Sequence, residues 1–285
     1  MRIIFKNGVK FKVDDCGVLL EMENASNRCK DVEIPKFLRF SDYAVEINAL
    51  GSKFCNGPFG NVKISPKIKT VESRAFEEAL VQTVYWPRSC TEIPYHCFNK
   101  SYISRLYGIE KVAEVGEAAF AELGMMELEW PTNCEVIPAL CFTRSNIATI
   151  KGTEKVREIK DFAFANFKTS NILDFENVEK VGVRAFSNSS VHNFKWPAKC
   201  KEIPDFCFNN SDLKNISNIE HVEIIGEFAF YGAKKLGKLD LTNSAILSVG
   251  EAAFACLNSD IIRLPYYVNP EDVFFDPDEA AVTAI

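Results

Sequence analysis

Trp86-Pro-Arg-Ser-Cys-Thr-Glu-Ile-Pro-Tyr-His-Cys-Phe98 returns as Trp130-Pro-Thr-Asn-Cys-Glu-Val-Ile-Pro-Ala-Leu-Cys-Phe142 and again as Trp196-Pro-Ala-Lys-Cys-Lys-Glu-Ile-Pro-Asp-Phe-Cys-Phe208. The copies lie 44 and 66 residues apart, two and three periods of 22. Plainer versions fill the gaps: a small residue followed by Phe ends each period at Phe76, Phe120, Phe164, Phe186 and Phe230, and at Phe254 after a longer step of 24 residues. One period before Phe76 stands Phe54, which makes ten anchors. A fixed period of this length is the mark of a repeat architecture, in which one turn cannot bury its own apolar face and must stack on its neighbours.

Other columns keep the same phase. Eight residues before the Phe stand Ile68, Cys90, Val112, Cys134, Val156, Val178, Cys200 and Val222; five before stand Val71, Ile93, Val115, Ile137, Ile159, Val181, Ile203 and Ile225. Eight after it come Val84, Leu106, Leu128, Ile150, Ile172, Phe194 and Ile216, the expected centres of inward-facing strands. Six of the ten cysteines sit at positions that other repeats fill with Val or Ala, so they read as small reduced core residues rather than a disulfide framework. Trp86, Trp130 and Trp196 lie two beyond the inward strand residue, and a period of two turns them inward too. Gly116, Gly182 and Gly226 share a frame position with Pro94, Pro138 and Pro204, which predicts a turn there.

These columns predict a β-rich solenoid, a right-handed superhelix of about ten coils. Residues 1–30, alternating around Lys6-Asn7-Gly8, should form an N-terminal β-hairpin cap; residues 31–275 carry the coils; residues 276–285 make an acidic, frayed tail.

The recurring frame, an Ile-Pro start as in Val32-Glu-Ile-Pro35 followed by Val-x-x-Ile-Gly-x-x-Ala-Phe through Phe254, resembles the BspA-like leucine-rich repeat family. The likeness runs over residues 30–268; the period of 22 rather than nearer 23, and the Trp-Pro-x-x-Cys turns, depart from it. The resemblance implies a curved stack of short strands, adhesion or protein recognition as the usual role, and no catalytic residues.

Composition narrows the function classes. The formal charge is −6 and the Lys and Arg residues are interleaved with acids, which argues against nucleic acid. No stretch of eighteen apolar residues occurs, so no membrane span is expected. The opening MRIIFKNGVK lacks a secretory apolar run, so the expectation is a cytoplasmic protein, with a surface or virion-associated place left open.

Several motifs suggest chemistry and lose to the repeat frame. Gly232-Ala-Lys-Lys-Leu-Gly-Lys-Leu239 approximates a phosphate loop but lacks Ser or Thr after its Lys, and Leu236 and Leu239 match core positions. The three Cys-x6-Cys pairs are too widely spaced for ordinary structural zinc. His96 neighbours Cys97, but adjacent strand residues face opposite ways. The Asn-x-Ser sequons at Asn24, Asn99, Asn188, Asn209 and Asn215 read as loop residues. No enzyme, cofactor or metal is expected.

What remains is a surface. Nine residues after each Phe, one past the inward residue, an outward column reads Lys63, Tyr85, Tyr107, Glu129, Lys151, Leu173, Lys195 and Ser217, with Asp240, after a shift of one, and Arg263 in the last turns. Tyr85, Tyr107, Glu129, Lys151 and Lys195 are the candidate binding residues, since exposed tyrosines are favoured at recognition surfaces. The function expected is non-catalytic binding of a protein or glycan partner. The runner-up is a structural component of a homomeric or viral assembly.

Overall fold

The computed structural model describes residues 1–24, 29–40, 43–169 and 175–274. Ile172 and Leu173, and the tail 276–285, lie outside them. The described chain divides into two compact units, residues 1–134 with 145–153, and residues 135–144 with 154–285.

The first unit opens on a hairpin, β1 (Arg2–Lys6) and β2 (Val9–Val13), whose Asn7-Gly8 turn has both φ angles positive, at 52° and 74°. That left-handed pair matches the twist of the flanking strands. A third strand, β3 (Val18–Glu23), pairs with β2 and then, in parallel, with Ala49–Leu50 and Cys55–Asn56 of the first coil. The strand β4 (Lys30–Ile34) lies parallel to β5 (Pro58–Ile64), and the sheet continues through β6 (Leu80–Tyr85), β7 (Tyr102–Tyr107), β8 (Gly124–Glu129) and β9 (Asn146–Lys151). Opposite this sheet, each coil makes a second strand of two residues, as at Glu92–Ile93 beside Glu114–Val115.

Between the two walls runs the column of anchors. Phe54, Phe76, Phe98 and Phe120 are fully buried, with successive ring centroids 4.9, 5.2 and 5.6 Å apart. Cys90, Cys97, Cys134 and the other expected core columns are buried with them, except Val115, which is half-buried. The tryptophans face inward as the period of two requires. In this unit the Trp86 and Trp130 indoles donate to the carbonyls of Cys90 and Cys134, at 3.2 and 3.1 Å, which satisfies the polar end of each ring inside the core.

In the second unit, Phe142, Phe164, Phe186, Phe208, Phe230 and Phe254 form a column of their own, with successive ring centroids 5.1 to 5.5 Å apart. The Trp196 indole again donates to the carbonyl four residues on, that of Cys200 at 2.8 Å. Its outer strands are short: β10 (Asn193–Lys195) pairs with β11 (Asn215–Ser217), and β12 (Leu239–Asp240) with β13 (Ile262–Arg263). Ile216 is half-buried rather than buried. A single turn of helix, α1 (Pro270–Phe274), follows, and the amides of Ala252 and Phe254 donate to the carbonyls of Asp272 and Val273 within it. Among the described residues no helix is long and apolar enough to cross a membrane.

Around Phe98 the chain makes three overlapping β-turns: Cys97 N donates to Pro94 O, Asn99 N to His96 O and Ser101 N to Phe98 O, with His96 and Lys100 at φ 53° and 57°. The same pair of left-handed residues returns in coil after coil, for example at Leu140 and Arg144, and at Phe206 and Asn210. Such a conformation is uphill for any residue with a Cβ. It persists because amides in these arcs bond the next coil: Arg74, Phe76 and Glu78 donate to Tyr95, Cys97 and Asn99 at 2.9–3.0 Å. Gly116 and Gly226 do begin turns, but their φ is not left-handed; a Cβ there would lie 2.4–2.5 Å from main-chain nitrogen or side-chain oxygen of the preceding coil.

Candidate functional site

In the long strands the residues five and eight after the anchor face inward and the ninth faces outward, as in Tyr102–Tyr107, and parallel register lines the outward side chains up. Tyr85 pairs with Lys63 on one side and Tyr107 on the other, and Glu129 pairs with Lys151, so four of the five candidate residues lie on neighbouring strands of one sheet. The Tyr85 and Tyr107 rings are 5.5 Å apart, and the Lys63 ammonium sits 5.6 Å from the Tyr85 centroid. This leaves Tyr85 half-buried and Tyr107 exposed. Lys151 bonds Glu127 at 2.8 Å rather than its register partner, and that bond holds the ammonium above its ordinary pKa. The fifth candidate, Lys195, belongs to the second unit, exposed on β10 opposite Ser217.

The sheet is not uniform. β6 and β7 pair at five positions, and so do β8 and β9, whereas β7 and β8 pair only at Tyr102 with Gly124. Beyond that point lies a cleft of about 570 Å³, lined from both strands and from the segments that follow them. Arg105, Tyr107, Met126, Glu127 and Glu129 line it, together with the otherwise buried Leu106 and Trp130. A shallower depression of about 290 Å³ adjoins it, and Met126 lines both.

Two of the candidates, Tyr107 and Glu129, thus line the cleft. Met126, 73% exposed, and Tyr102, 67% exposed, escaped the sequence reading. Met126 could not be found from alternation: with the residue eight after the anchor facing inward, a period of two turns the sixth, Gln82, Ser104, Met126 and Ala148, inward as well, whereas Met126 is exposed between buried Met125 and Leu128. Tyr102 lies over Gly124, where a Cβ would come within 3.1 Å of its ring.

The motifs with catalytic or ligand overtones have structural places. Leu236 and Leu239 are buried, and Lys235 pairs with Asp212 at 2.7 Å. Cys90 and Cys134 donate weakly to carbonyls of the preceding coil, and burial raises their thiol pKa values to about 11 and about 12. Cys97 is fully buried and its pKa is pushed well up by the same desolvation, so the thiol beside His96 is a poor nucleophile.

The model of the BspA type leucine-rich repeat region matches residues 45–171 and 179–275 in six copies. No curated protein matches the sequence. Among solved structures, the chain is similar to a leucine-rich cell surface protein of Faecalibacterium prausnitzii A2-165, at 15% identity and a TM-score of 0.52, over 90% of this chain and 86% of that one. It is also similar to the pneumococcal vaccine antigen PcpA, at 18% identity and a TM-score of 0.50, over 90% and 79% of the two chains. At these identities the likeness is one of fold.

Proposed function

Since the chain belongs to the BspA-type leucine-rich repeat family, we propose that it is a non-catalytic recognition module, holding a protein or glycan partner on the outer face of the long-strand sheet. The observation that carries this reading is the Tyr85–Tyr107 pair standing on rigid parallel strands beside a ligand-sized cleft. Aromatic side chains fixed by a sheet offer contact area at little cost in conformational entropy. A structural neighbour that is a cell surface protein fits such a role.

Assembly by stacking of coils is the second reading, and both ends weigh against it. The carbonyls of Phe54 and Asn56 accept from Met22 and Asn24, and the amides of Ala252 and Phe254 are taken by α1. Capped ends leave little to template another copy.

The test is to probe arrays of random dodecapeptides and of oligosaccharides with labelled wild-type chain and with Tyr85→Ala/Tyr107→Ala. Retention on one array, lost in the double variant at unchanged melting temperature, supports the reading; blank arrays, or binding that the variant keeps, overturn it. The mass in reducing solution at low and high protein concentration tests the alternative, which needs a stable assembly.

A further inference from the structure

The sheet that closes the first coil ends on an open strand. β1 pairs with β2 alone and stands at the end of a six-stranded sheet. The Asn7-Gly8 turn fixes which of its backbone groups are left over. In a two-residue hairpin the residues flanking the turn, here Lys6 and Val9, exchange hydrogen bonds, and bonded pairs then alternate along the ladder. Arg2, Ile4 and Lys6 thus turn their amides and carbonyls to β2, while those of Ile3 and Phe5 point away from it. Among the described residues, none bonds the Ile3 or Phe5 main chain from that outer side.

The same two residues carry exposed apolar side chains, Ile3 at 49% and Phe5 at 73%. An edge strand is ordinarily blunted by charge or proline. Here the lysines of that face stand one strand in, Lys12 opposite Ile3 and Lys10 opposite Phe5, and Glu21 and Glu23 hold them at 3.0 to 3.7 Å.

Charge selects the occupant. Asp15 holds Arg2 at one end of β1, whereas at the turn end neither Lys6 nor Lys30 has an ion pair among the described residues; the Lys30 ammonium lies 3.4 Å from the carbonyls of Asn7 and Gly8. A second copy of the chain fits poorly. Opposing Ile3 of one β1 to Phe5 of another brings Arg2 against Lys6 at both ends, and like charges directly opposite are destabilising.

We propose that the β1 edge takes up an extended segment of a partner protein, antiparallel to β1, with apolar residues beside Ile3 and Phe5 and a carboxylate at its amino end beside Lys6 and Lys30. This is strand addition, in which main-chain bonds give affinity and alternate side chains give specificity. The five residues of β1 span about 17 Å, and the outward groups of Ile3 and Phe5 offer two amides and two carbonyls. The site does not use the tyrosine pair.

The experiment measures fluorescence anisotropy of an octapeptide with aspartate at its amino end followed by alternating valine and threonine, titrated with the full chain. Comparison probes carry lysine for the aspartate, or N-methyl groups on the valine amides that face β1. The aspartate peptide should bind and the N-methylated one should not. Phe5→Pro removes the outward amide at an edge position that tolerates proline, and should abolish binding at unchanged melting temperature. Ile3→Thr/Phe5→Thr keeps the backbone and should weaken binding about tenfold, which decides the matter if the proline variant unfolds. Lys6→Glu should reverse the preference between the aspartate and lysine probes.

Absence of binding, binding that valine N-methylation spares, or binding that a folded Phe5→Pro keeps overturns the proposal. So does a chain mass that doubles with concentration and stays single in Phe5→Pro, since a second copy then occupies the edge. Peptide binding should be the same in Tyr85→Ala/Tyr107→Ala. Arrays probed in the Phe5→Pro background read the tyrosine face alone, so either site can fail without the other.

Discussion

Leu80-Val-Gln-Thr-Val-Tyr85 in the first unit and Ser190-Val-His-Asn-Phe-Lys195 in the second occupy the same part of the period, yet the first is a strand of six residues and the second a strand of three. Their anchors are equally buried and their rings equally spaced. The difference lies in the outward positions. Asn193 and Asn215 satisfy each other through a side-chain bond of 2.8 Å, whereas Leu80 and Tyr102 face each other across β6 and β7 as a large apolar pair. Core columns thus set the coil, while exposed residues set how far its strand extends, which is where β propensity has its effect.

The largest test of that division removes an anchor from each unit. Phe98→Ala and Phe208→Ala should each cost about 3 to 5 kcal/mol in urea denaturation, since each empties a fully enclosed aromatic site. A cost confined to one variant would break the parallel between the two units' anchor columns. Next, Asn193→Val/Asn215→Val should gain roughly 0.5 kcal/mol and add slowly exchanging amides around β10 and β11, with the reverse for Leu80→Asn/Tyr102→Asn. Unchanged exchange in both would mean that strand length is set elsewhere. The smallest effect is expected at Arg144→Gly, where an exposed left-handed residue exchanged for glycine should gain a few tenths of a kcal/mol in thermal unfolding. A loss instead would show that the Arg144 side chain contributes more than its backbone strain costs.

The coil was legible because its causes are local and repeated. Anchors, strand centres and inward tryptophans all follow from apolar residues at fixed phase. The left-handed turn residues were not legible: Arg74, His96, Leu140 and Phe206 share no chemistry, and what holds them is hydrogen bonding from the adjoining coil. The outward row on the first unit's sheet could be read from alternation, so Tyr85, Tyr107, Glu129 and Lys151 could be placed side by side on four successive strands. The cleft lined by two of those strands could not, because the frame runs through Phe98 and Phe120 without a break and gives no sign that β7 and β8 pair only at Tyr102 with Gly124.

The ladder of turn amides has a direction. The carbonyl of Cys97 accepts from Phe76, and the amide of Phe98, in the same peptide plane, donates to Ala119. In each arc alternate peptide planes therefore stand parallel to the stack, as in an α-helix, and their dipoles add. The arcs of each unit carry an aligned dipole, positive toward the carboxyl end, while amides elsewhere in the coil, such as those of Tyr102 and Gly116, donate the other way to Ala79 and Ile93. In the second unit that pole is the turn of Ala252 and Phe254, and the acidic side chains of Glu251, Glu271 and Asp272 stand in that turn and in the helix that closes it.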